Sequence, residues 1–242
     1  MGGRIVIAFL GAFSALSLQA QEKIVSVPFV GCKGDGQLGP LEAPQGTTVP
    51  VAIDAEAAGQ LAFYRGGLHV LAPRAWHCFG FLGSSGYVFF VSPQPIDTTK
   101  VLSDGFTGPA IEVSFSYGQG SGAFEVAEVI ARAFPSSNAF VVNLKNLLQL
   151  PESEFASGPY PDDVLRYQSK TVVEYITPAQ KNGLGTDSRL KMNGSPIEGV
   201  AILTGEIPHL MRLAVRLPPE LSPLTAAIIR EFEADTKAHP PE

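Results

Sequence analysis

The stretch VLAPRAWHCFGF, residues 70–81, decides how the rest of the chain is read. It holds the only tryptophan, Trp76, followed directly by His77 and by Cys78, one of two cysteines. Apolar residues flank the three, and Pro73-Arg74 lead in as a turn. Alternation along an extended chain puts Trp76 and Cys78 on one side and His77 on the other. With Trp76 packed inward, His77 faces solvent or a groove, where an imidazole can act as a general acid or base.

Cys78 has one partner of its own kind in the chain, Cys32. Two cysteines in an exported protein are read as a disulfide, because an oxidising compartment keeps few free thiols. The bridge closes a loop of about 46 residues, worth about 4 kcal/mol in the chain-entropy description. The spacing fits no zinc site and no CxxC redox motif.

The export reading comes from the N-terminus. Arg4 supplies a positive start, residues 5–18 form a short apolar run, and Gln19-Ala20 precede the polar residues 21–23, so residues 1–20 read as a signal peptide. The run is too short for a membrane span, and no later segment is longer. Cleavage leaves about 220 residues, enough for one sizeable core. A competing pattern, residues 29–32 (FVGC), resembles a lipoprotein cleavage site with Cys32 as the lipidated end. The charged Glu22 and Lys23 and the early end of the apolar run count against it.

The formal net charge is −6, and no Lys/Arg cluster occurs, which argues against nucleic acid and anionic membranes as partners. Sparse charge with 25 Gly and 20 Pro points to short strands joined by many turns. Strands are expected at 23–30, 47–53, 61–65, 68–71, 76–81, 87–92, 110–117, 170–176, 199–203 and 210–217. Gly66-Gly67 and residues 83–86 (GSSG) mark hairpins. The Gly-rich residues 31–40 read as a loop, residues 54–59 as a turn or short helical turn, and 163–165 as a helical turn.

Two main helices are expected. In the first, about 123–134, Phe124, Ala127, Ile130, Ala131 and Phe134 form the apolar stripe. The second, about 223–236, has Ser222 as N-cap, Pro223 at its first position and Leu224, Ile228 and Phe232 facing inward. Residues 140–150 read as a strand end passing into a helix. The glycines of residues 118–122 stand between a strand and a helix, as in phosphate cradles, but no GxGxxG or Walker lysine accompanies them, so the stretch reads as a structural connection. The fold class is therefore α+β, mostly antiparallel sheet with one disulfide. It forms a single domain over 21–242, with two lobes, 21–96 and 109–242, as the alternative organisation.

The blocks at 70–80 (VLAPRAWHCFG), 173–186 (VEYITPAQKNGLGT), 198–205 (EGVAILTG) and 210–221 (LMRLAVRLPPEL) resemble a family of exported bacterial proteins of unknown function. That resemblance covers most of the mature chain and implies a periplasmic or secreted bacterial protein, without bringing a reaction or site residues. The late strand pair and terminal helix are similar in pattern to PsbP/MOG1-like α+β domains, a likeness that carries no function.

Common chemistries lack their residues. There is no GxSxG elbow, no HExxH or HxH, and the four histidines are scattered. No metal or cofactor is expected. The function read from the sequence is a non-enzymatic binding or interaction module, with a protein or cell-envelope component as partner and Arg74, Trp76 and His77 as candidate binding residues. The alternative is a hydrolase using His77 with a carboxylate from Asp35, Asp54 or Glu56.

Overall fold

A computed structural model describes residues 23–241. The expected signal peptide, residues 1–20, lies outside the described residues. The chain opens with β1 (Lys23–Gly31), β2 (Gly34–Gly36), β3 (Gly39–Leu41) and β4 (Thr48–Ile53). It continues through α1 (Ala55–Gln60), β5 (Leu61–Gly66), β6 (Leu68–Pro73), β7 (His77–Gly83) and β8 (Gly86–Ser92). The short α2 (Val101–Asp104) precedes β9 (Ala110–Ser116), α3 (Gly122–Ala133) and α4 (Asn138–Leu148). The last third holds β10 (Val164–Tyr167), β11 (Val172–Thr177), β12 (Ile197–Thr204), β13 (His209–Arg216) and α5 (Thr225–Ala238).

These strands make two sheets. The smaller has the order β4-β1-β5-β6, and the larger runs β10-β11-β12-β13-β9-β8-β7-β2-β3. All pairings are antiparallel except β1 with β5 and β2 with β7. The fold is therefore α+β and mostly antiparallel, as the composition implied. Because β8 pairs with β9 over residues 86–91 and 111–116, strands from both halves of the chain share the large sheet.

Period-two alternation sorts side chains to the two faces of that sheet. Ile111, Val113 and Phe115 of β9 and Met211, Leu213 and Val215 of β13 face the small sheet and α5, and form one core with them. In α5, Leu224 just ahead of the helix, then Ile228 and Phe232, are all buried, and each of the latter two contributes about 2–3 kcal/mol of apolar burial. The opposite face packs Val173, Tyr175, Ala201, Leu203 and Leu210 against α3 and α4.

Five readings of the sequence are corrected. Residues 31–40 are not a plain loop, because Gly34 and Gly36 pair with Leu41 and Gly39 as a small hairpin that β7 extends. Residues 163–165 contribute to edge strand β10 rather than a helical turn, since pairing with β11 overrides a weak local preference. Residues 138–148 are helical throughout, adding a third long helix. In α3 the inward stripe is Ala123, Val126, Ala127, Val129, Ile130 and Ala133, while Phe124 is 39% exposed. Ser222 also does not cap α5, and its hydroxyl donates back to the Pro219 carbonyl within a 3-10 turn, Pro219–Leu224.

Cys32 and Cys78 are disulfide-bonded, with Cα atoms 5.6 Å apart. The bridge ties the end of β1, in the small sheet, to β7 in the large one. A sulfur committed to this bridge cannot also carry a lipid.

Candidate functional site

The alternation that fills the core with one half of β9 and β13 sends the other half to the opposite face. That half carries a polar set, Glu112, Ser114 and Ser116 from β9 and Arg212 and Arg216 from β13, all nearly inaccessible to solvent. Register places Arg212 beside Ser114, and Ala214 beside Glu112. Arg216 is spent on structure, since its guanidinium donates to the carbonyls of Phe106, Gly108 and Lys191. The other four line the floor of a cleft of about 700 Å3 between the large sheet, the start of α3 and the loop carrying Asp187 and Arg189.

Two glycines allow this approach of helix to sheet. A Cβ on Gly122 would lie 2.4 Å from the Ser85 carbonyl oxygen and 2.5 Å from that of Tyr117, so no other residue fits at the first turn of α3. A Cβ on Gly118 would lie 2.1 Å from the Pro208 oxygen. The Gly118 N–H donates to His209 Nδ1 at 2.9 Å, which fixes the loop leading into α3 against the β12–β13 turn.

The floor is held by a charged network. Arg212 Nη2 donates to Glu125 Oε1 at 2.9 Å and to the Asp187 carbonyl at 3.3 Å, while the Ser116 hydroxyl donates to Glu125 Oε2 at 2.8 Å. Glu112 accepts the Arg189 backbone N–H at 2.6 Å. Burial pushes the Glu112 carboxyl up, against the pull of Arg212. Burial also works against the charge on Arg212, but Glu125 and Glu112 beside it more than compensate and raise its pKa. At the rim, Tyr160 donates to Asp187 Oδ1 at 2.9 Å, and the Arg132 guanidinium sits 4.1 Å above the Tyr160 ring. Desolvation, then Asp187, push the Tyr160 hydroxyl to about 12, and desolvation raises the Asp187 carboxyl.

Among the described residues two floor atoms have no hydrogen-bond partner: the Ser114 hydroxyl and Arg212 Nε, on residues 6% and 4% exposed. A buried donor left unsatisfied costs about 1–3 kcal/mol, and because both atoms lie beneath the surface of the cleft, a visiting polar group gains from them once either side chain turns toward it.

A second cleft, of about 900 Å3, runs around the C-terminal half of α5 and the ends of β4, β11 and β12. It contains buried oxygens on Glu231, Glu233 and Thr204 that have no hydrogen-bond partner among the described residues. Beside it, His69 of β6 pairs with Asp235 of α5 at 2.5 Å. Burial, with repulsion from Asp235, pushes Glu231 to about 7, and burial, with repulsion from Glu174, pushes Glu233 to about 7.

The residues singled out in the sequence lie elsewhere. His77 is exposed at the start of β7, where it pairs with Ser92 of β8, and its side chain makes no hydrogen bond, ion pair or ring contact among the described residues. Trp76 packs against the core, and its backbone N–H donates to the Tyr64 hydroxyl. Arg74 donates from Nε to the Leu61 carbonyl and from Nη2 to that of Ala58, strapping α1 to β5. Asp54 caps α1 by accepting the Ala57 N–H, and Asp35 and Glu56 are exposed. None of these residues lines either cleft.

A signal for the first cleft was nevertheless present. In β9, Glu112, Ser114 and Ser116 alternate with apolar residues at period two, and in β13 Arg212 and Arg216 fall on the same face, which marks a polar inner patch once the two strands are paired. Comparison with known proteins finds no matching family model, no matching curated protein and no matching solved structure.

Proposed function

We propose that the protein is an exported, non-enzymatic binding module, and that its ligand, a small molecule or a protruding group of an envelope component, enters the cleft between α3 and the large sheet. The observation that carries this reading is the Ser114 hydroxyl and Arg212 Nε at the cleft floor, which have no partner among the described residues. The cleft is of the size that takes small ligands, generally 300–1,000 Å3. Its floor is pre-organised by the Arg212–Glu125–Ser116 network, so little ordering is left for binding to supply. Export is supported by the signal-like residues 1–20 and the closed disulfide. The hydrolase alternative has less support, because no carboxylate hydrogen-bonds or pairs with His77 among the described residues.

The test is a thermal-shift screen of a library of small polar compounds against the wild type and Ser114→Leu, which fills the floor. Stabilisation of the wild type that is absent in the variant supports the reading. Equal shifts in both, or no shift with any compound, refute it. Ser114→Ala, which removes the hydroxyl without adding volume, gives the same answer should the leucine variant not fold.

A further inference from the structure

We infer that this cleft takes a small organic cation that also bears a hydrogen-bond acceptor, the cation held by carboxylates at the rim and the acceptor by the floor. The inference rests on the binding reading above and names the class of ligand.

The walls carry five carboxylates, from Glu112, Glu125, Glu128, Glu154 and Asp187, against two guanidinium groups, Arg189 and Arg212. Inside the network Glu125 is matched by Arg212, and Glu112 lies sealed beneath the Arg189 N–H. Glu128, Glu154 and Asp187, the last already accepting from Tyr160, lie at the exposed rim with one guanidinium, that of Arg189, so a visitor meets a surplus of negative charge. A cleft lined mainly by one sign of charge raises the local concentration of the opposite sign. An anion drawn to the amides of α3 would have to pass these carboxylates. No three His, Cys, Asp or Glu side chains converge in metal-binding geometry among the described residues, which leaves an organic cation.

Two further features set the rest of the ligand. Phe124, partly exposed at the mouth, has its ring 6.1 Å from that of Phe155, and offers an aromatic face to a cation and its apolar stem. At the floor, Arg212 Nε can only donate, so the inner end of the ligand must accept. The Ser114 hydroxyl can follow with either role.

The experiment is calorimetric titration of the mature protein with Nα-acetyl-argininamide, which has a guanidinium and two carbonyls, and with its uncharged isostere Nα-acetyl-citrullinamide. The arginine compound is expected to bind at least tenfold more tightly, to weaken in high salt, and to lose at least tenfold in affinity with Glu128→Gln plus Glu154→Gln. Both substitutions are at exposed positions, so the fold is undisturbed. Equal or tighter binding of the citrulline compound, or an affinity unchanged by the double variant, overturns the cation while the cleft stands as a binding site. Failure of both compounds to bind also overturns the cation, and the Ser114→Leu screen then judges the binding reading by itself.

Discussion

Replacing Glu231 by glutamine should make the protein more stable at alkaline pH and leave it nearly unchanged at acid pH. Glu231 lies on α5 at the second cleft, with Oε2 buried and unpartnered. Burial and the neighbouring Asp235 raise its carboxyl from 4.5 to about 7, with His69 opposing. The folded state therefore keeps this proton up to about pH 7, whereas the unfolded chain releases it near 4.5. Between these values the folded state binds more protons, so stability falls as pH rises, and above pH 7 the whole cost remains. The full gap corresponds to about 3 kcal/mol, at 1.36 kcal/mol per pKa unit. Glutamine has the shape of the protonated acid and cannot ionise. The advantage of Glu231→Gln over wild type should grow by about 2–3 kcal/mol between pH 5 and pH 8, a rise in Tm of roughly 4–12 °C for a domain of this size. Urea denaturation of both proteins at the two pH values measures it, and the difference between them cancels every group they share. A stability difference that does not change with pH would show that Glu231 ionises freely in the folded protein, and the reasoning would fail. Glu233, raised to about 7 for the same main reason but more open to solvent, should behave alike with a smaller amplitude.

Replacing Cys32 and Cys78 together by alanine should cost about 4 kcal/mol, since the bridge closes a long loop of the unfolded chain. Thermal unfolding checks the loss, and a native protein whose thiols react with an alkylating agent before reduction would contradict the bridge. Arg212→Met should destabilise by about 3–5 kcal/mol, because it leaves the buried Glu112 and the partly buried Glu125 without their countercharge. Adding Glu125→Gln should restore part of that loss, and strictly additive effects in the double-mutant cycle would show that the pair is not coupled.

Strand positions and their alternation were legible, because period-two patterns and turn residues act locally. The hairpins at Gly66-Gly67 and at residues 83–86 formed as read, and so did the inward set Leu224, Ile228 and Phe232. Local preference failed where pairing partners are distant. Residues 164–167 became a strand only because β11 lies alongside, and residues 34–36 only because β3 and β7 do. The Trp-His-Cys run drew attention by its composition, yet Trp76 and Cys78 serve packing and the bridge, and the His77 side chain has no partner among the described residues.

By itself, then, the sequence determined an α+β chain, its mostly antiparallel strands, its disulfide and the absence of familiar catalytic motifs. Each of these follows from residue types and short spacings. The tertiary structure alone decided that Glu112, Ser114, Glu125, Asp187 and Arg212, drawn from two strands, a helix and a loop up to 100 positions apart, meet in one cleft. Each polar residue looks like an ordinary solvated side chain until the register between β9 and β13 and the close approach at Gly122 place it at the cleft. Strand register and helix-to-sheet packing are set by the whole core, and no local stretch of sequence encodes them.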